Sequence, residues 1–142
     1  MTNAGTRGVT PKNLLLCLLF VTAGCDELPS GPTVVLNERF TLAPGESARI
    51  DQSQVRLEFV DVTGDSRCPA DAVCIQGGDA VVRVRATAGS AASTLELHTG
   101  DSARAAGTFQ GVRVELMELQ PYPFSSRTIA PGDYRATLRA TQ

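Results

Sequence analysis

The stretch VRLEFVDV, which begins at Val55 and ends at Val62, alternates apolar and polar side chains over its first half. Val55, Leu57 and Phe59 share one face of a strand, because successive side chains of a β-strand point to opposite faces of the sheet. The apolar positions then change phase to Val60 and Val62. A change of phase within one strand predicts a bulge or a bend. The stretch therefore predicts a long, irregular strand with a buried face.

The chain repeats this pattern in VRVELMEL at positions 112–119, which changes phase at Met117. Two further pairs of segments match in the same order, namely 42–49 with 97–104 and 78–87 with 132–141. The offset is nearly constant, because segments that begin at positions 42, 55 and 78 recur at positions 97, 112 and 132. This spacing indicates a duplicated unit of roughly 50 residues. Convergent strand composition is the alternative interpretation.

Alternation with a period of two continues through most of the chain after Thr33. The predicted strands are Gln54–Thr63, Asp79–Ala88, Ser93–Thr99, Gly111–Gln120 and Asp133–Thr141, preceded by a shared strand face of Val34, Leu36, Phe40 and Leu42. No longer window favours a helical period, so six to eight short strands are expected. The sequence predicts an all-β fold, an antiparallel β-sandwich or small barrel made from two facing, pseudo-repeated meanders.

The segment 1–24 has the organisation of a secretory signal. Arg7 and Lys12 precede an apolar run at positions 14–21, and small residues follow it. As a helix, the segment 14–24 would span about 16 Å, well short of a bilayer core of roughly 30 Å. A buried core helix is the other alternative, but it would need a polar face, which the run lacks. The segment 1–24 is therefore predicted to be a signal peptide.

The sequence TAGC that ends at Cys25 resembles the lipobox of bacterial lipoproteins. The resemblance implies cleavage before Cys25, a diacylglycerol on its thiol and, in many bacteria, an acyl chain such as palmitate on the new amino group. Several acyl chains anchor a protein stably to a membrane. An ordinary signal peptide that ends near a cysteine is the alternative. The predicted product has a lipidated cysteine and short tether at 25–32 and a single β domain at 33–142, facing the periplasm or exterior from the inner or outer membrane.

The composition of the chain from Cys25 onwards excludes several classes of function. The segment 1–24 holds two of the 13 basic residues and none of the 15 acidic ones, so the segment 25–142 carries a net charge of −4. A nucleic-acid binder would need the opposite balance. All remaining basic side chains are arginines, which excludes a P-loop lysine and a Schiff-base lysine. No cofactor is expected, and the single histidine, His98, is too few for a His-rich zinc site.

Cys68 and Cys74 form an even pair in a chain that is predicted to be exported. Such a pair predicts a disulfide. A metal–thiolate pair is the alternative, but two cysteines without further Cys or His ligands cannot complete a tetrahedral site.

The two copies of the predicted repeat diverge in the loop after the long strand, at positions 64–78 and 121–131. Loops that differ on a repeated scaffold are a common place for function. The segment DSRCPADAVC, positions 65–74, resembles a DSRCP-x-D-x-x-C pattern of exported bacterial proteins of unknown function, as does the later Pro-Tyr-Pro. Gln76 stands where that pattern leads us to expect tryptophan. The resemblance implies a β domain and no established activity. The candidate binding residues are Asp65, Arg67, Asp71, Gln76, Tyr122 and Phe124.

Other side chains in these regions have a functional and a structural interpretation. The four aspartates 61, 65, 71 and 79 are candidates for a calcium site or for turn residues with a salt bridge to Arg67. His98 is a candidate general base, but no nucleophile motif accompanies it, so an exposed structural histidine is expected. Tyr122 and Phe124 either form a stiff binding edge or close the end of the core.

The predicted function is therefore that of a lipid-anchored envelope protein that binds a partner and is not an enzyme. The membrane and an envelope protein are the expected partners. An inhibitor of an envelope hydrolase, with the Cys68–Cys74 loop as a rigid wedge, and a calcium-binding module are the alternatives.

Overall fold

The structure is a computed structural model that describes residues 31–142. The predicted signal peptide, the lipidated Cys25 and most of the tether lie outside this range. The described residues form nine strands and one 3-10 turn, Pro131–Asp133. The strands are β1 Thr33–Val34, β2 Arg39–Leu42, β3 Ser47–Ile50, β4 Arg56–Asp65, β5 Ala80–Ala88, β6 Ala91–His98, β7 Ala106–Phe109, β8 Val112–Gln120 and β9 Arg135–Thr141. The predicted all-β class is confirmed, and the described part of the chain has no helix suited to cross a membrane.

The strands form two sheets, with the orders β1-β3-β4-β5-β6 and β2-β9-β8-β7. All neighbouring strands are antiparallel except β1 and β3, which are parallel. The sheets meet along one side, where the backbone N–H of His98 donates to Arg104 O at 3.0 Å and that of Leu116 donates to Ala105 O at 2.8 Å. This arrangement agrees with the predicted antiparallel sandwich or small barrel.

The core lies between the two sheets and is formed by the alternating apolar positions of both. Its largest fully buried side chains are Phe59, Ile50, Leu57, Leu97, Leu119, Leu138, Val82, Val84, Val112 and Val114. Every strand from β2 to β9 contributes a buried or partly buried apolar side chain to this cluster. Burial of such a face is the main stabilisation available to a sheet, since neither sheet could shield its apolar face alone.

The predicted changes of phase are confirmed as bulges at equivalent positions in the two long strands. In β4 the register passes from Phe59↔Val84 to Asp61↔Arg83, so Val60 is the extra residue. In β8 the register passes from Leu116↔Leu138 to Glu118↔Thr137, so Met117 is the extra residue of the bulge. A bulge of this kind bends the strand and increases its twist.

The meanders β3-β4-β5 and β7-β8-β9 have the same strand order. The sheet of each meander also contains one strand from the other half of the chain. Strand β6 pairs with β5 through Leu95↔Val84, and β2 pairs with β9 through Phe40↔Leu138. The two pairs are equivalent under the sequence repeat. Phe40 and Leu95 are separated by the same number of residues as positions 42 and 97. Val84 and Leu138 are separated by the same number as positions 78 and 132. The repeated scaffold is thus present in the strand register.

Three details of the sequence-based strand assignment are wrong. The sequence predicts one shared strand face for positions 34–42, but they belong to β1 and β2 in different sheets, separated by Asn37 with a φ of 69°. Positions 102–104 do not correspond to β3; its counterpart β7 begins at Ala106. Asp133 lies in the 3-10 turn rather than in β9. The short β3 and β7 carry too few alternating residues to be recognised from their sequences.

Candidate functional site

The two divergent loops leave the same end of the sandwich and contact each other. We call residues 66–79, between β4 and β5, the disulfide loop, and residues 121–134, between β8 and β9, the proline loop. The backbone N–H of Ala70 donates to Pro123 O at 2.9 Å. Asp71 Oδ1 accepts hydrogen bonds from Ser125 N at 2.8 Å and Ser125 Oγ at 3.1 Å. These bonds join the loops into one surface, whereas the sequence indicates two separate candidates.

The Cys68–Cys74 disulfide is present, with a Cα–Cα distance of 6.0 Å. The loop makes one turn after Pro69, where the N–H of Ala72 donates to Pro69 O at 3.1 Å. At its base, Ser66 N donates to Asp79 O at 2.7 Å. The loop is therefore closed twice, once by the disulfide and once by the backbone, which restricts the conformations of its tip.

Arg67 is buried and ties the disulfide loop to the opposite sheet. Its Nε and Nη2 donate to the two carboxylate oxygens of Asp65 at 2.8 and 2.6 Å. Its Nη1 donates to Leu119 O at 2.6 Å, and Nη2 also donates to Pro121 O at 2.9 Å. Arginine matches this task because its planar fork can bind a carboxylate and carbonyls together. The predicted salt bridge is thus present, and Arg67 and Asp65 are mostly buried beneath the two loops.

The carboxylate of Asp65 is held in its charged form. Burial opposes ionisation, but the hydrogen bonds and charge of Arg67 outweigh it, and the pKa of Asp65 lies below its ordinary value. Tyr134 Oη donates to Asp65 Oδ2 at 3.1 Å. Burial, and next the charge of Asp65, raise the pKa of Tyr134. Tyr134 closes the end of the core, a role for which the sequence offers Tyr122 and Phe124.

Apolar side chains are exposed on both loops. Among residues 31–142 the exposed large hydrophobic residues are Val35, Val73, Ile75, Tyr122 and Phe124, and only Val35 lies elsewhere. Val73 and Ile75 are fully exposed, while Tyr122 and Phe124 are 53% and 42% exposed. We call these four side chains, with the exposed Gln76 beside Ile75, the loop face. Exposed apolar side chains on two joined loops make this end of the molecule a candidate interaction site.

Two arginines hold the aromatic side chains of the loop face. The Arg67 guanidinium lies 5.3 Å from the centre of the Tyr122 ring, and that of Arg127 lies 5.7 Å from the centre of the Phe124 ring. Cation–π contacts of this kind are attractive. They keep the rings in place without burying them, so the aromatic side chains remain available for contact.

His98 is buried, so the expectation of an exposed histidine is wrong. Its Nδ1 lies 2.6 Å from Asp79 Oδ2, and only 9% of the side chain is exposed. Asp79 Oδ1 also accepts from Gly100 N at 2.7 Å. Burial opposes the charge on Asp79, but these partners outweigh it and lower its pKa. The register places His98 opposite Val81, close to Asp79 in the chain, a long-range pairing that no local motif signals.

A polar cleft of about 440 Å³ lies beside the loop face. Its polar lining includes Arg39, Arg67, His98, Glu118 and Tyr122. Arg39 and Glu118 are not singled out by the sequence, because they lie on different strands that only the sheet order brings together. The cleft carries both positive and negative groups next to Tyr122, and could accept a polar group of a ligand that covers the loop face.

The four aspartates of the calcium hypothesis bind four different partners. Asp61 pairs with Arg83, Asp65 with Arg67, Asp71 with Ser125 and Asp79 with His98. Within the range that the structure describes, no three His, Cys, Asp or Glu side chains form a group that could hold a metal ion. The aspartates act in this structure as turn and ion-pair residues.

Comparison with protein-family models, curated proteins and solved structures found no significant match to this chain. The described residues form an all-β protein of two sheets, with a disulfide-closed loop and an apolar loop face at one end.

Removal of the disulfide should lower stability by a moderate amount. We expect the Cys68→Ser/Cys74→Ser variant to lose about 2 kcal/mol of unfolding free energy, since the bond closes a small loop in the unfolded chain. Urea unfolding followed by circular dichroism measures this difference. The wild-type protein in reductant is the matched control and should shift by a similar amount. Equal midpoints with and without reductant would show that the bond contributes nothing to stability.

Proposed function

We propose that this chain is a lipid-anchored protein of the bacterial cell envelope that acts as a non-catalytic binding module through its loop face. The proposed anchor is the lipidated Cys25, which follows from the signal-like segment 1–24. The proposed binding surface is the pair of joined loops. Its partner is a component of the same envelope.

The observation that carries the binding surface is the position of the exposed apolar side chains. Four of the five exposed large hydrophobic residues within 31–142 lie on two loops that hydrogen bonds join. The disulfide and the Arg67 contacts hold these loops before any partner arrives. A surface ordered in advance loses little conformational entropy on binding, which favours affinity.

Photo-crosslinking in the native envelope tests this function. A photoreactive phenylalanine analogue replaces Phe124 in the full chain, and a second version carries it in place of the exposed Ser90 in the β5–β6 turn, at the other end of β5. We expect a defined adduct from position 124 and none from position 90. The adduct should be lost when Val73→Asp and Ile75→Asp are added.

The matched control for these charges is Val35→Asp, since Val35 is 51% exposed away from the loops. It should leave the adduct from position 124 unchanged. If position 124 gives no adduct, or if the Val73→Asp/Ile75→Asp variant gives the same adduct, the loop face is not the binding surface. If the adduct is a hydrolase whose activity falls stoichiometrically with added protein, the module acts as an inhibitor.

A further inference from the structure

We propose that the loop face lies on the lipid bilayer, with Val73 and Ile75 inserted between the acyl chains and Tyr122 and Phe124 at the headgroup level. This inference rests on the proposed function, because it takes the anchor at Cys25 as given and names the bilayer as the component that the loop face contacts. The disulfide loop is then a second, non-covalent attachment that sets the orientation of the domain.

The chemistry of the loop tip fits a lipid surface. The segment 72–78, AVCIQGG, carries no charged side chain. Val73 and Ile75 are fully exposed in the structure, so neither side chain contributes buried apolar surface to the folded domain. Insertion of such side chains into hydrocarbon is favourable because apolar surface leaves water. The tip therefore presents apolar groups with no charge to be desolvated.

The rim of the loop face fits the membrane–water interface. Tyr122 and Phe124 are about half exposed, and aromatic side chains favour the headgroup region of a bilayer. The exposed Arg127 stacks on Phe124, so its guanidinium is placed where phosphates of the headgroups would lie. Asp71, which directly precedes the uncharged segment, accepts hydrogen bonds from Ser125 N and Oγ. An uncharged apolar segment, two half-exposed aromatic side chains and an exposed arginine are the groups that a membrane surface accommodates.

At residue 31 the chain is directed towards the side of the domain that carries the disulfide loop. Strand β1 is parallel to β3, and β3 is antiparallel to β4. The residues before Thr33 therefore point towards the end of β4 that carries the disulfide loop. The backbone confirms this path, since Arg49 N donates to Pro32 O at 2.9 Å and Gly31 packs against the Ser47 carbonyl.

The reach of the segment 25–30 is close to the distance from residue 31 to the base of the disulfide loop. Ser47 pairs with Glu58, and β4 continues from Glu58 to Asp65, a rise of about 23 Å. The segment 25–30 can span about 20 Å when extended. An acyl chain on Cys25 could therefore enter the same bilayer surface that the disulfide loop touches. A protein partner would not need this coincidence of direction and reach.

The absence of tryptophan from the chain permits a direct test. The Ile75→Trp variant places a single fluorophore at the loop tip, and the matched Ser90→Trp variant places one in the β5–β6 turn at the far end. Both full-chain, lipidated proteins are reconstituted into phosphatidylcholine vesicles with and without brominated acyl chains. We expect the Ile75→Trp emission to move to shorter wavelength and to be quenched several-fold by bromine, and Ser90→Trp to change little.

Mass spectrometry of the same samples confirms lipidation of Cys25, which separates this inference from the proposed function. If Cys25 is lipidated and the Ile75→Trp emission stays water-like and unquenched, the inference is wrong. A protein adduct from position 124 would then leave the binding function standing with a different partner. Equal quenching of both variants would also overturn the inference, because it would show that the domain lies on the bilayer without a preferred face.

Discussion

Replacement of Arg67 with methionine is expected to lower the free energy of unfolding by about 3–5 kcal/mol, the usual effect of removing one partner of a buried ion pair. The Asp65 carboxylate, of which only 11% is exposed, would lose its counter-charge. The carbonyls of Leu119 and Pro121 would lose their donors at the same time. Urea unfolding of the variant and the wild type measures the difference.

The matched control is Arg83→Met, which breaks the Asp61–Arg83 pair. The side chains of that pair are 38% and 40% exposed, and exposed pairs contribute roughly 0–1 kcal/mol. The Asp65→Asn/Arg67→Met double variant removes both charges and should recover part of the lost stability. If Arg67→Met and Arg83→Met unfold at the same urea concentration, the cross-sheet role assigned to Arg67 is incorrect.

The second large effect is expected at Phe59, which is fully buried next to the bulge of β4. Phe59→Ala would leave a cavity between the sheets and should destabilise the protein by about 3–5 kcal/mol. Thermal unfolding followed by circular dichroism gives the change in the midpoint. Refolding on cooling establishes that the values describe an equilibrium.

The repeat provides the control for this prediction, because the residue equivalent to Phe59 in β8 is Leu116. Phe59→Leu places the leucine of one copy into the other and should be milder than Phe59→Ala, since most of the buried volume is kept. Phe124→Ala removes the same ring from a surface position and should change stability little. A Phe59→Ala loss no larger than that of Phe124→Ala would contradict the assignment of Phe59 to the core.

The long strands and their bulges could be predicted because both features depend on a local sequence pattern. The segments 55–62 and 112–119 are long enough for a period of two, and for its change of phase, to be seen. Strands β3 and β7 have four residues each and show no such pattern. The pairing of β2 with β9 joins distant halves of the chain, so no local pattern reveals it. Alternation fixes which face of a strand is buried but not which strand it pairs with.

The sequence predicts that both loops are candidate regions, but it does not predict the structural roles of the residues there. The cysteine spacing and the divergent loops indicate the end of the molecule where the structure places the loop face. The sequence makes Arg67 a binding candidate and His98 an exposed residue, but both are buried, because partners distant in sequence, Leu119 O and Asp79, meet them in the fold. Burial of a polar side chain depends on such partners, and local sequence does not reveal them.

Strand β2 from the first half of the chain pairs with β9, and β6 from the second half pairs with β5. This pairing decides whether either half can fold alone. A fragment that ended near Ser90 would keep β3, β4 and β5 but would lack β6, and its own β2 would have no β9 to pair with. Neither half is therefore an autonomous folding unit, despite the resemblance between them. Two molecules could exchange these strands with each other, so we expect the misassembled form of this chain at high concentration to be a domain-swapped dimer.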